Sequence, residues 1–276
     1  MTASGRITLS LLIIFFSSIV ACNRHPYYDT NKAYKKQTKA LAKQISKEPA
    51  SSVNAPANQP YFIGTTNFNL RKPNIVVIHH TAQNSCEQTL KTFTLTRTQV
   101  SAHYVICKDG TVHHMLNDYL RAWHGGAGKW GSVTDLNSSS IGIELDNNGF
   151  EAFADPQINS LLVLLDTLKK RHGIPAANFI GHGDIAPTRK VDPNVYFPWP
   201  TLAQRGFGLW YDENTQDTVP ANFNHLLALK IIGYDIKDTT AAIGAFKRKY
   251  FAVEKTPPSF NENEMRLLFS VMKKAL

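Results

Sequence analysis

The chain has 276 residues, a formal net charge of +9 and 43% hydrophobic content. That apolar content supports one large packed core or two smaller ones and excludes wholesale disorder. The positive balance favours an anionic partner, but no arginine-rich run or aromatic-basic repeat accompanies it, so nucleic acid is not expected among the partners.

In chain order, Arg6 precedes an apolar run, Leu9 to Ala21, that ends on a small residue before Cys22. The run is too short to span a bilayer comfortably and has the build of a secretory leader. Ile19-Val20-Ala21-Cys22 resembles the lipobox of bacterial lipoproteins. That resemblance implies removal of residues 1–21 and a membrane anchor through lipidated Cys22, each buried methylene contributing about 0.8 kcal/mol. Asn23 resembles the sorting choice for the outer membrane, which would place the protein in the periplasm. A plain signal peptide with an incidental cysteine is the alternative. Residues 22–58, rich in Lys, Gln, Ser, Asn, Ala and Pro, read as a flexible tether in which 33–47 form a transient helix with little to bury. In an oxidising compartment the remaining Cys86 and Cys107 form either a disulfide or two buried thiols.

The β-branched run Ile75–Ile78, followed by His79 and His80, predicts a buried strand. Successive side chains leave a strand on opposite faces, so only one of the two histidines can enter a given site. Residues 86–99 predict a helix, 101–107 a strand, and Asp109-Gly110 a hairpin turn into a strand over 111–115. In Ser139–Leu145, Ile141, Ile143 and Leu145 share one face, and Gly142 and Glu144 the other. Leucines at helical spacing predict a helix over 158–171, closed by a basic run and stopped at Gly173. A short strand over 178–180 leads into the loop Gly181–Pro193, where Gly and Pro disfavour regular structure. After Trp199-Pro200, helices are expected over 221–235, 239–250 and 261–276. The expected fold is α/β: a mixed central β-sheet flanked by helices over 59–204, with a small C-terminal three-helix domain over 205–276, as a monomer.

His79, His182 and Asp192 make a ligand set of two imidazoles and one carboxylate, the kind that leaves an open position on zinc (Zn2+) and so supports catalysis. Glu144 suits the task of taking a proton from an attacking water. Lys190, two residues before Asp192, suits stabilisation of an oxyanion. Asp184 and Asp146 compete as carboxylates; the spacing of Asp192 to Lys190 and His182 favours Asp192.

Ile75–Ala82 (IVVIHHTA), Ser101–Gly110 (SAHYVICKDG), Ala122–Gly126 (AWHGG), Ile141–Leu145 (IGIEL) and Gly181–Pro193 (GHGDIAPTRKVDP) resemble, in order, the motifs of zinc-dependent type 2 N-acetylmuramoyl-L-alanine amidases, which are related to an amidase-type phage lysozyme and to the peptidoglycan recognition proteins. The resemblance implies that the first histidine of the pair, His79, binds zinc with His182 and Asp192, and that Glu144 and Lys190 are catalytic. It also suggests that His124 and Tyr104 contact substrate, with packing roles as their alternatives. The substrate it implies is peptidoglycan or its muropeptides, cut between N-acetylmuramic acid and L-alanine. The C-terminal segment is similar, more weakly, to a helical peptidoglycan-binding domain. A recognition protein that binds without cutting and a peptidase acting within the stem peptide are the competing classes.

Overall fold

The computed structural model describes residues 25–47, 65–215, 217–255 and 257–276. The leader, Cys22 and Asn23 lie outside the described residues, as do 48–58 of the tether. Residues 1–66 and 67–276 fall into two separate units. In the first, helix α1 (Tyr28–Ile45) is regular over 18 residues and buries none of them. This is more structure than the transient helix expected over 33–47. Its Ala, Lys and Gln content favours helix locally, and at this length the nucleation cost is spread over several turns. No described helix is long and apolar enough to cross a membrane.

The second unit is built on five strands: β1 (Ile75–His80), β2 (Tyr104–Ile106), β3 (Val112–His114), β4 (Ser140–Leu145) and β5 (Phe179–Gly181). Their order is β3-β2-β4-β1-β5, all neighbours parallel except the β2–β3 hairpin. The sheet is therefore mixed, as the sequence suggested. Helices α2 (Cys86–Thr94), α3 (Leu136–Ser139), α4 (Asp155–His172), α5 (His182–Ile185), α6 (Trp199–Gln204), α7 (His225–Ile232), α8 (Thr239–Phe251) and α9 (Glu262–Ala275) complete it. The short α3 and α6 were not expected. Helix α2 is shorter than the 86–99 expectation; a 3-10 turn over Thr96–Thr98 follows it. Cys86, first in α2, is disulfide-bonded to Cys107, just past β2, with a Cα–Cα distance of 5.4 Å.

Strand periodicity sorts the sheet into two faces. Val76 and Ile78 of β1, Ile141, Ile143 and Leu145 of β4, and Tyr104 and Ile106 of β2 pack with Ile158, Leu161, Leu165 and Leu168 of α4. On the other face, Ile75, Val77 and Ile180 join Ile185, Trp130 and the inner sides of α7, α8 and α9 in one continuous core. The C-terminal helices thus share a core with the sheet. Helix α4 ends at Gly173, whose φ of 67° supplies the left-handed turn, after a basic last turn that complements the helix dipole.

Candidate metal and active site

His79, Glu144 and His182 lie at the carboxyl ends of β1, β4 and β5, where side chains emerge from a parallel sheet into a crevice. His79 and Glu144 are register partners on adjacent strands and share a face, because each sits an even number of positions from the inward Val77 and Gly142. His182 begins α5, a single helical turn inside the stretch expected to be irregular. The loop after it folds back: the Gly183 N–H donates to the Asp192 carbonyl at 2.7 Å, which puts residues 182 and 192 side by side. The Asp192–Pro193 peptide is cis.

The result is a tight cluster. His79 Nδ1 lies 2.9 Å from His182 Nδ1 and 3.0 Å from Asp192 Oδ2, and His182 Nδ1 lies 3.1 Å from the same oxygen. All three side chains are buried. These separations approach the ~3.3 Å that bonds of ~2.0 Å at tetrahedral angles require of zinc ligands. His182 Nε2 faces the Gly125 carbonyl at 3.1 Å. A carbonyl only accepts, so the ring proton sits on Nε2 and Nδ1 turns a lone pair toward a carboxylate. Two acceptors face to face are satisfied by a shared cation, so the donor set fits zinc. Among the described residues, these three form one of two groups with metal-ligand spacing. The other includes the disulfide sulfurs, which are not thiolate ligands.

The electrostatics agree with the geometry. Burial, then the neighbouring His182, lowers the His79 pKa to about 4, keeping it neutral and able to ligate. Burial works to raise the Asp192 carboxyl, but contacts from His182 and His79 outweigh it and hold it well below the usual carboxylate range. Glu144 is pushed well above its ordinary value by desolvation and by Asp192, against the opposing pull of Lys190.

A cleft of about 240 Å³ opens over the cluster, lined by His79, Glu144, His182, Lys190 and Asp192, with Thr92, Phe93 and Trp123 among its walls. It brings all five proposed catalytic and ligand positions together. His124 also borders it but is nearly buried, with both ring nitrogens engaged inside the protein. Tyr104 does not join them. It shares the α4 face with Ile143, opposite Glu144, and its hydroxyl donates to Asp118 Oδ1 at 2.7 Å. Strand parity buries Tyr104 in the core on the α4 face, the packing role that stood as its alternative to substrate contact.

A profile described as N-acetylmuramoyl-L-alanine amidase matches residues 69–195. Escherichia coli AmiD, named as an N-acetylmuramoyl-L-alanine amidase, is 35% identical over 59% of this chain and 67% of its own length. The chain belongs to the N-acetylmuramoyl-L-alanine amidase family. The Haemophilus influenzae 1,6-anhydro-N-acetylmuramyl-L-alanine amidase AmpD is 37% identical over 37% of this amidase and 55% of its own length, so the match there spans about half of that relative. Among solved structures, AmiD from E. coli in complex with anhydro-N-acetylmuramic acid-L-Ala-D-gamma-Glu-L-Lys superposes with a TM-score of 0.65 at 28% identity, covering 77% of this chain and 93% of that one. AmpDh3 from Pseudomonas aeruginosa gives 0.67 at 25% identity over 82% and 98%.

Two supports of the amidase site were not visible in the sequence. Arg189, next to Lys190, donates through Nε to the Ala127 carbonyl at 2.9 Å and through its terminal nitrogen to the Gly125 carbonyl, tying the loop that carries Asp192 to the 125–127 loop. Asp184, weighed above only as a rival ligand, instead accepts the Gly181 N–H at 2.8 Å, the Tyr234 hydroxyl at 2.7 Å and the Lys249 ammonium at 2.9 Å. Its pattern signal is the capping position it takes three residues after Gly181; its distant partners carry no local signal.

Proposed function

We propose that this amidase hydrolyses the amide between N-acetylmuramic acid and L-alanine in peptidoglycan or its muropeptides, using one zinc ion held by His79, His182 and Asp192. The observation that carries the reading is the convergence of His79 Nδ1, His182 Nδ1 and Asp192 Oδ2 within 3.1 Å of one another in a cleft that also holds Glu144 and Lys190. Zinc in that place supplies a Lewis acid and a water that ionises near neutral pH. Glu144 takes the proton of the attacking water and returns it to the departing alanine nitrogen, a transfer that its raised pKa favours. Lys190 places its ammonium where the carbonyl oxygen gains charge. The cleft is large enough for the scissile junction and its immediate neighbours, so the glycan and the rest of the stem peptide extend beyond it.

The named substrate of AmiD supports this choice of bond, and the complete ligand and acid–base set argues against a recognition protein that binds without cutting. We further assign residues 1–21 as a lipoprotein leader and Cys22 as the lipidated anchor, with the enzyme working as a monomer at the periplasmic side of the outer membrane. Residues 22–58 then act as the tether, 59–204 as the catalytic domain and 205–276 as the helical part that contacts peptidoglycan. Purified chain incubated with peptidoglycan, with and without chelator, decides the reaction. Mass analysis is expected to show free stem peptides beginning at L-alanine, only where metal is present. Intact muropeptides, or shortened peptides still attached to sugar, would overturn the reading.

A further inference from the structure

A hydrogen-bond chain behind His79 has a direction that can be read from one end. The Leu136 carbonyl only accepts, and Ser140 Oγ lies 2.5 Å from it, so the one hydroxyl proton points there. Ser140 then offers only lone pairs to His124 Nε2, 3.1 Å away, and the proton of the His124 ring must sit on that nitrogen. His124 Nδ1 is left bare, 3.1 Å from His79 Nε2, and accepts its proton. His79 is thereby held with hydrogen on Nε2 and a lone pair on Nδ1, the atom that meets His182 and Asp192. The opposite tautomer would aim an N–H from Nδ1 at Asp192 and leave no lone pair for a cation.

The His124 ring has little freedom to leave this chain. It lies against Gly142 of β4, where an added Cβ would come within 2.3 Å of its Cγ. The backbone N–H groups of His124 and Gly125 both donate to Asn137 Oδ1, at 3.1 and 2.8 Å. We propose that His124, oriented by Ser140, is a positioning residue that locks His79 in the tautomer able to bind a divalent cation through Nδ1. Partners of this kind behind a metal ligand set ring orientation and basicity, and their loss costs roughly 10- to 100-fold in metal affinity. The inference rests on the zinc reading above, but its first test does not need the metal.

Nitrogen-15 labelled histidine in the metal-free chain reports each ring's protonated nitrogen by NMR. The expected wild-type spectrum has His79 protonated at Nε2 and bare at Nδ1; protonation at Nδ1 would overturn the proposal. Zinc affinity, measured by competition with a chromophoric chelator, is expected to fall about 10- to 100-fold in His124→Leu. His124→Asn, whose side-chain oxygen can take the place of Nδ1 as acceptor, is expected to recover most of that loss. Ser140→Ala should weaken zinc in the wild-type background and add nothing in His124→Leu. A folded His124→Leu that binds zinc within about twofold of wild type would sink the relay, taking 10-fold as the smallest loss expected; if that variant does not fold, the wild-type spectrum decides. A wild-type chain without zinc affinity overturns the zinc reading instead, and the spectrum still judges the relay.

Discussion

Glu144 and Asp192 are carboxylates in one cleft with opposite electrostatics, and substitution should separate their jobs. Glu144→Ala is expected to retain zinc and lose roughly 10²- to 10⁴-fold in turnover, the usual contribution of a positioned general base. Asp192→Ala is expected to lose zinc itself, measured by metal content after dialysis. Metal retention with full turnover in either variant would remove that residue from its role. His103 makes a different prediction. Its Nδ1 accepts the Gly142 N–H at 3.1 Å, and its Nε2 faces the Leu120 carbonyl at 3.0 Å and the Arg71 guanidinium at 2.9 Å, so a second ring proton would stand against a fixed cation. Burial is the main cause that lowers its pKa to about 4 from 6.5. Because the folded value is the lower one, the unfolded chain takes up a proton first as pH falls from 6.5 to 4, and stability drops across that window. The loss is about 3 kcal/mol for a shift of this size. Denaturant unfolding at pH 7 and pH 4 is expected to show a smaller difference in His103→Gln than in wild type; equal differences would sink the argument.

At the scale of elements, the loop carrying His182 and Asp192 is braced from a distance. Asp184, two residues past His182, is buried with its carboxylate paired to Lys249 of α8 and bonded to Tyr234. Lys249→Met leaves that carboxylate without its cation, which typically costs 3–5 kcal/mol. A lower thermal midpoint together with weaker zinc binding is expected; unchanged values for both would show that the brace is idle. The brace illustrates what the sequence could not disclose. Strand alternation limited His79 and His80 to one candidate and turned Glu144 away from the apolar face, the family resemblance chose His79, and a Gly- and Pro-marked loop set His182 and Asp192 ten positions apart. In the sequence Lys249 is one member of the basic run Lys247-Arg248-Lys249, and its partner is 65 positions away, so only folding brings them together. For Tyr104 both roles stayed open for a related reason: a three-residue strand is too short for its pattern to reveal which face lies toward the site. In α1 the underestimate ran the other way, because helix formation there depends on local preference and needs no burial.

For the molecule as a whole, the expected division at residue 205 cuts through a continuous apolar cluster. Leu229, Ile232, Ile243 and Phe246 from the C-terminal helices pack in the same core as Ile75, Val77 and Ile185. Ending the chain at residue 204 would uncover that face and strip Asp184 of both side-chain partners. The truncated chain is expected to melt at a lower temperature and to bind an apolar dye; an unchanged melting transition would show that the catalytic part stands alone.

The central strand has one more consequence. Ile75–Ile78 is apolar on both faces and is followed by two histidines, so sliding β1 by one residue would still bury hydrocarbon above and below and still offer an imidazole to the ligand cluster. Its composition therefore does little to choose between the two alignments. The choice falls to contacts at its end, where His80 Nδ1 accepts the Asn194 N–H at 3.1 Å, so that the residue excluded from the proposed cation site is the one that keeps its neighbour pointed into it.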